Sequence, residues 1–357
     1  MPLLYRRAFP HSPLARPNLL SFLRKLFALT LFALFALGGY ALWYALTPLE
    51  APRYPAEFQV APRSGLRSVA RQIEASGISL GRIQFELLAR GLGKSRDIKA
   101  GSYELTAAVN PLQLLDKLTR GDVTQGEVTL IEGWTFRQFR TALASNTDLR
   151  GDSRTLQDAE ILKRLGATLG ATLGATAEHP EGMFFPDTYL FSKGSSDLDV
   201  LGRAYRYMQK KLAAEWEARD PKTPFGTPYE ALIMASIVEK ETGSAAERDM
   251  IAGVLINRLR IGMRLQADPT VIYGMGTAFD GNLRKRDLLA DGPYNTYVRA
   301  GLPPTPIAMP GLASLRAALH PAQTQALYYV SRGDGSSQFS RSLEEHNQAV
   351  GKYQLKR

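Results

Sequence analysis

The stretch LIMASIVEKETGS, residues 232–244, decides how the second half of this chain is read. An apolar run gives out into two glutamates that bracket a lysine, and glycine and serine follow. On a helix of roughly 100° per residue, Ile233, Met234, Ile237 and Val238 share one face, while Ala235, Ser236 and Lys240 lie on the other. Glu241 lands in the middle of the apolar face and Glu239 among the small and charged residues; Leu232 departs from the pattern. Two carboxylates spaced i, i+2 do not face each other. Glu239 is therefore expected on a solvated face. Glu241 is expected to point into apolar surroundings at a helix end, where desolvation raises a carboxyl toward the pKa of a general acid. The plainer alternatives are a buried glutamate paired with an arginine, or a helix that frays before residue 241.

Downstream, RLQADPTVIYGMG (264–276) and PYNTYVRAGLPPTPI (293–307) read as irregular stretches carrying Gln266, Asp268, Thr270, Tyr273, Tyr294, Asn295, Thr296 and Tyr297. Amides, hydroxyls and aromatic faces together suit a sugar polymer, which needs stacking on pyranose faces and partners for hydroxyls and acetamides. The short run ALYYVSR (326–332) reads as a strand. Helices are expected over 197–216, 228–241 and 247–259. EGMFFPDTYLF (181–191) reads either as a packed connector with a turn at Pro186-Asp187 or as a wall of a substrate groove. LGATLGATLGAT (165–176) repeats with a period of four and is too short for a solenoid, so it is taken as a low-complexity insertion.

Upstream, Phe58 to Val60 alternates like a strand, helices follow from Ser64 to Gly77 and over 83–92, KAGSYEL (99–105) alternates again, and a helix starts at Pro111. This is a small α+β module over 58–125, with a further domain over 126–357. PLEAPRYPAE (48–57) is proline-rich and reads as a semi-rigid stalk. Residues 26–46 carry no charge, which is close to the roughly 20 residues that cross a bilayer as a helix. Arg and Lys in the basic tail of residues 1–25 precede the run, and Trp43 and Tyr44 sit near its far end. The positive-inside rule then puts the N-terminus in the cytoplasm and everything after Pro48 outside. A signal peptide cleaved near residues 39–41 is the rival, though the apolar run continues past that point.

The formal net charge is +10 over 357 residues, and half of it belongs to Arg6, Arg7, Arg16, Arg24 and Lys25. What remains is too dispersed for a nucleic-acid interface. The chain has no cysteine, so it has neither disulfides nor a zinc-finger spacing. His11, His179, His320 and His346 show no metal-ligand spacing, and no nucleotide-binding glycine motif is present. No cofactor is expected.

ASIVEKETGSAAERDMIAGVLINRLRIGMRLQADPTVIYGMG (235–276) closely resembles the membrane-anchored endolytic murein transglycosylases of bacteria, the MltG or YceG-like family. EGMFFPDTY, YNTYVRAGLPP and ALHPA (318–322) extend the resemblance, and only the LGAT repeat departs from the family pattern. It implies a LysM-like N-terminal module and a lysozyme-like catalytic domain whose acid is a glutamate followed by Ser or Thr at a helix end. Glu241-Thr242 fits that pattern and Glu239-Lys240 does not. It also implies cleavage of the β-1,4 bond between N-acetylmuramic acid and N-acetylglucosamine within nascent glycan strands, giving 1,6-anhydro ends and terminating elongation. The implied partners are peptidoglycan strands, the inner membrane and the peptidoglycan synthases of elongation or division. Because the C6 hydroxyl is the nucleophile, one acid suffices, whereas glycosidases that hydrolyse need two carboxylates. The rivals are a hydrolytic muramidase using Asp268 as second carboxylate and a non-catalytic peptidoglycan-binding scaffold.

Overall fold

The computed structural model describes residues 19–166, 179–241 and 243–355 and divides between Thr124 and Gln125 into two compact units. Most of the basic tail, the LGAT repeat beyond Gly166, and Thr242 lie outside the described residues.

The first unit opens with α1 (Leu19–Leu46), whose Phe22–Leu46 portion, 25 residues, is apolar and uncharged after Arg24 and Lys25. At about 1.5 Å per residue it is long enough for a roughly 30 Å hydrocarbon core. The chain then enters β1 (Ala56–Val60), α2 (Leu66–Ala75), α3 (Arg82–Gly91), β2 (Gly101–Leu105) and α4 (Pro111–Arg120). β1 and β2 pair antiparallel, with Phe58 opposite Tyr103 and their rings stacked 5.4 Å apart. β1 alternates buried and exposed, and Val69, Ile73, Phe85, Leu114 and Leu118 of the helices close over the buried face. Asn110 and Gln113 form a capping box at α4, and Gly121 ends it in the left-handed region at φ 74°.

Residues 48–57 are not a stalk. Leu49 is buried in this core, its N–H donates to Val109 O at 2.9 Å, and Ser79 N–H donates to Glu50 O at 2.9 Å. The segment is tied down by Leu49, Ala51 and Ala56, which enter or pack against the core, while Pro48 and residues 52–55 stay exposed.

The second unit contains β3 (Gln125–Thr129), α5 (Phe136–Ser145), α6 (Asp158–Arg164), β4 (Thr188–Ser192), α7 (Asp197–Glu217), α8 (Pro228–Glu241), α9 (Arg248–Arg260), α10 (Asp268–Met275), α11 (Lys285–Leu289), α12 (Leu312–Leu319), β5 (Tyr328–Ser331), β6 (Ser337–Ser340) and α13 (Leu343–Tyr353). β3 pairs antiparallel with β4, and β5 with β6. The centre is α8, which packs against α12, α9, α10 and α7. Every residue from Ala231 to Val238 is buried, so this helix has no wet face. That is why Leu232 departs from a one-faced pattern: a helix buried all round is apolar all round. Ser236 is accommodated by donating its hydroxyl to Ile233 O (2.7 Å) and accepting Ile307 N–H (3.0 Å). Gly253 of α9 permits close approach of the ALHPA segment, since a Cβ there would lie 2.8 Å from Ala322 O.

Candidate functional site

α8 is expected to end where its apolar run ends, and it does: Glu241 is its last residue. The side chain is part-exposed and reaches a cavity of about 440 Å³ that it shares with Arg258, Gln266, Asp268, Tyr297 and Tyr329. Tyr329 of β5 donates its hydroxyl to Glu241 Oε2 at 2.9 Å. Burial above all, against the Tyr329 hydrogen bond and the Arg258 charge and with some help from the charge of Asp268, pushes the Glu241 carboxyl up to about 7. A carboxyl poised there gives and takes a proton near neutral pH.

Arg258 of α9 is 7% exposed. Its Nε donates to Leu327 O at 2.6 Å and its Nη1 to Leu265 O at 2.8 Å, and the guanidinium lies over the Tyr328 ring at 5.2 Å. It thus holds the strand β5 against the loop before α10, and its charge favours the ionised form of Glu241. That loop carries Gln266 in the left-handed region at φ 52°, unusual for a residue with a side chain. Thr296 sustains it: Thr296 O accepts Gln266 N–H (3.1 Å), and the Thr296 hydroxyl accepts Ala267 N–H (3.0 Å) and bonds the Thr270 hydroxyl (2.9 Å).

Four of the expected residues, Glu241, Gln266, Asp268 and Tyr297, therefore meet in one cavity. Asp268 opens α10 with Pro269 behind it, so Asp-Pro marks a helix start and not the turn that its composition suggests. Its Oδ1 accepts the Tyr297 hydroxyl. The others stand elsewhere, Thr270 fully buried beneath the loop. Asn295 and Thr296 are buried (5% and 3% exposed) and spend their polar groups within the protein, on backbone and on the Thr270 hydroxyl. The Asn295 amide is shared among Asp287 O, Leu288 O and Ala290 O, and its Oδ1 accepts Tyr297 N–H at 2.9 Å. Both hold the loop that presents Tyr297 and Gln266, and neither is free for a sugar. Tyr273 and Tyr294 pack edge to face at 5.0 Å and belong to a second cluster. There Tyr273 donates to Glu181 Oε2 at 3.0 Å, and Glu181 Oε1 accepts Phe136 N–H at 2.8 Å. Glu181 is 3% exposed, and burial pushes its carboxyl up to about 7. Residues 181–186 are all buried, so EGMFFPDTY is a packed connector and not a groove wall.

Glu239 is not solvated as the one-faced wheel implies. It is part-buried, and its Oε2 accepts Gly311 N–H (2.9 Å) at the start of α12, where a carboxylate complements the helix N-terminus. Tyr329, Arg258, Ser331 and His346 also line the cavity. Tyr329 and Ser331 depend on which residues of a four-residue strand face inward, and Arg258 and His346 on how α9 and α13 pack against that strand, so none of them shows in local periodicity. Among the described residues, no three His, Asp or Glu side chains converge as metal ligands.

Comparison with known proteins adds four findings. The profile of the YceG-like family matches residues 58–352. An endolytic murein transglycosylase of Bacillus subtilis is 31% identical over 299 residues, covering 81% of this chain and 82% of its own length. An endolytic murein transglycosylase of Streptococcus pneumoniae is 25% identical over 358 residues; the match covers 91% of this chain and 64% of that longer relative. Among solved structures, a YceG-like protein of Listeria monocytogenes aligns with a TM-score of 0.55 at 28% identity, covering 82% of this chain and 97% of that one.

Proposed function

The chain belongs to the YceG-like family, and from that premise we propose how its cavity performs the reaction for which its relatives are named. It is a peptidoglycan lytic transglycosylase. In our reading Glu241 is its acid and base. As an acid it protonates the glycosidic oxygen between N-acetylmuramic acid and N-acetylglucosamine. As a carboxylate it then takes the proton of the muramoyl C6 hydroxyl, which attacks C1 and closes a 1,6-anhydro ring. One proton is lent and recovered, and water is not a reactant. The single observation that carries this reading is the Glu241 carboxyl at the end of α8, pushed up to about 7 beside the open cavity. Tyr329 positions it, and Gln266, Asp268 and Tyr297 offer polar edges to the sugars.

The strand-helix-helix-strand order of the first unit supports a LysM-like module that holds the glycan, and the buried central helix ending in a glutamate supports a lysozyme-like second unit. α1 anchors the chain in the inner membrane. The basic residues before it support a cytoplasmic N-terminus and a periplasmic second unit. Cleavage within nascent strands would end their elongation beside the synthases that make them.

A second reading draws on Asp268, whose carboxylate lines the same cavity: a muramidase with two carboxylates. Mass spectrometry of products from purified glycan strands separates the two. Ends lighter by one water than a reducing sugar support transglycosylation. Reducing ends transfer the role to Glu241 with Asp268, and binding without cleavage leaves a scaffold.

A further inference from the structure

We propose that the start of α3, together with the neighbouring arginines of α2, is a docking surface for anionic phospholipid headgroups of the membrane that α1 crosses. The inference rests on α1 being a membrane span. Its first support is depth. The Tyr44 hydroxyl donates to Leu80 O at 2.5 Å, and the Gln84 amide donates to the Tyr40 hydroxyl at 3.4 Å. Tyr40 is six residues before the end of α1, about 9 Å along the axis at 1.5 Å per residue. The first turn of α3 therefore lies beside the last two turns of the apolar helix, at the level where interfacial aromatics sit among headgroups.

The connection between helix and unit has no slack. Thr47 N–H still donates to Trp43 O, and Leu49 is already in the core. With α1 upright in a bilayer, the unit rests on the lipid surface.

What it presents there is chemically matched. Ile83 is 72% exposed and Leu87, one turn on, is 64% exposed. Beside them, Arg67, Arg71 and Arg82 line one depression with Ile83, Gln84 and Glu86. Glu86 pairs with Arg67 (3.2 Å) and Glu74 with Arg82 (2.5 Å), while Arg71 has no ion pair among the described residues. Three guanidinium groups thus face two carboxylates. Guanidinium forks bind phosphate bidentately, and apolar side chains between them enter the acyl boundary.

The absence of native cysteine makes the test direct. Full-length Ile83→Cys and Leu87→Cys variants, each labelled with an environment-sensitive fluorophore, are reconstituted in nanodiscs of neutral lipid or of neutral lipid with phosphatidylglycerol. Nitroxide lipids labelled near the headgroup should quench both positions, more strongly with phosphatidylglycerol. Arg67→Glu with Arg71→Glu should reverse that gain, by about fivefold in the docked-to-free ratio for each basic residue lost from an anionic surface. Labels that stay aqueous in both lipids overturn the proposal, as does quenching indifferent to lipid charge and to the arginines. A Phe35→Cys label shielded from deep nitroxides would show instead that α1 does not span, and the proposal falls with that reading.

Discussion

Glu241 and Glu239 are two residues apart on one helix, and their neighbours give them different work. Glu241→Gln keeps the shape and an amide but moves no proton. Glycan cleavage should fall about a hundred- to ten-thousandfold, with the melting temperature at neutral pH held or raised. Glu239→Gln loses a charged partner of Gly311 N–H. It should cost about 1 kcal/mol of stability, read by denaturant unfolding, and leave turnover per folded molecule close to normal. Tyr329→Phe removes a hydrogen bond that favours the ionised Glu241. The carboxyl should then hold its proton to higher pH, so the alkaline limb of the rate profile, near pH 7 in the parent, should move upward. An unmoved limb with an unchanged rate would remove Tyr329 from the site. The wheel placed Glu241 at a helix end because the apolar run stops there. It misplaced Glu239 because periodicity assumes one wet face, and α8 has none.

Elements in the second unit are tied by buried polar groups, several with partners far apart in sequence, and this is where reading the chain alone reached least. The density of hydroxyls and amides in 264–276 and 293–307 suggested a ligand, yet Asn295 and Thr296 use theirs to hold α11 and the Gln266 turn. Glu181 is a second case: it joins the N-terminus of α5 to α10 through Phe136 N–H and the Tyr273 hydroxyl. Its folded carboxyl, pushed by burial to about 7, sits above the unfolded value near 4.5. The stabilisation linked to its proton is therefore full below about pH 4.5 and is lost as pH rises through 7, amounting to about 3 kcal/mol. Glu181→Gln cannot ionise. Its melting temperature should match the parent near pH 5 and exceed it at pH 8, as thermal melts across that range would report. A variant destabilised equally at both pH values would mean that the amide breaks the joint between α5 and α10.

At the scale of the whole chain, where α1 gives way to the folded core of its unit is set by Leu49 and not by the prolines. The apolar run of α1 and the strand-helix-helix-strand order were legible, since each rests on local periodicity. The role of residues 48–57 was not, because composition cannot tell a stiff linker from a packed strap. The distinction has a measurable outcome. A chain lacking residues 1–47 should leave the membrane fraction, keep Leu49 in its core and retain cleavage of purified glycan. A chain starting at Pro55 loses Leu49 and its N–H bond to Val109 O. Exposing the contacts of one buried leucine costs about 1.5–3 kcal/mol, so the first unit of the shorter chain should unfold at distinctly lower denaturant while the second keeps its midpoint. If both truncations unfold alike, Leu49 contributes nothing and 48–57 is a stalk after all. If the chain without residues 1–47 still resists carbonate extraction, α1 is not what holds the protein to its membrane.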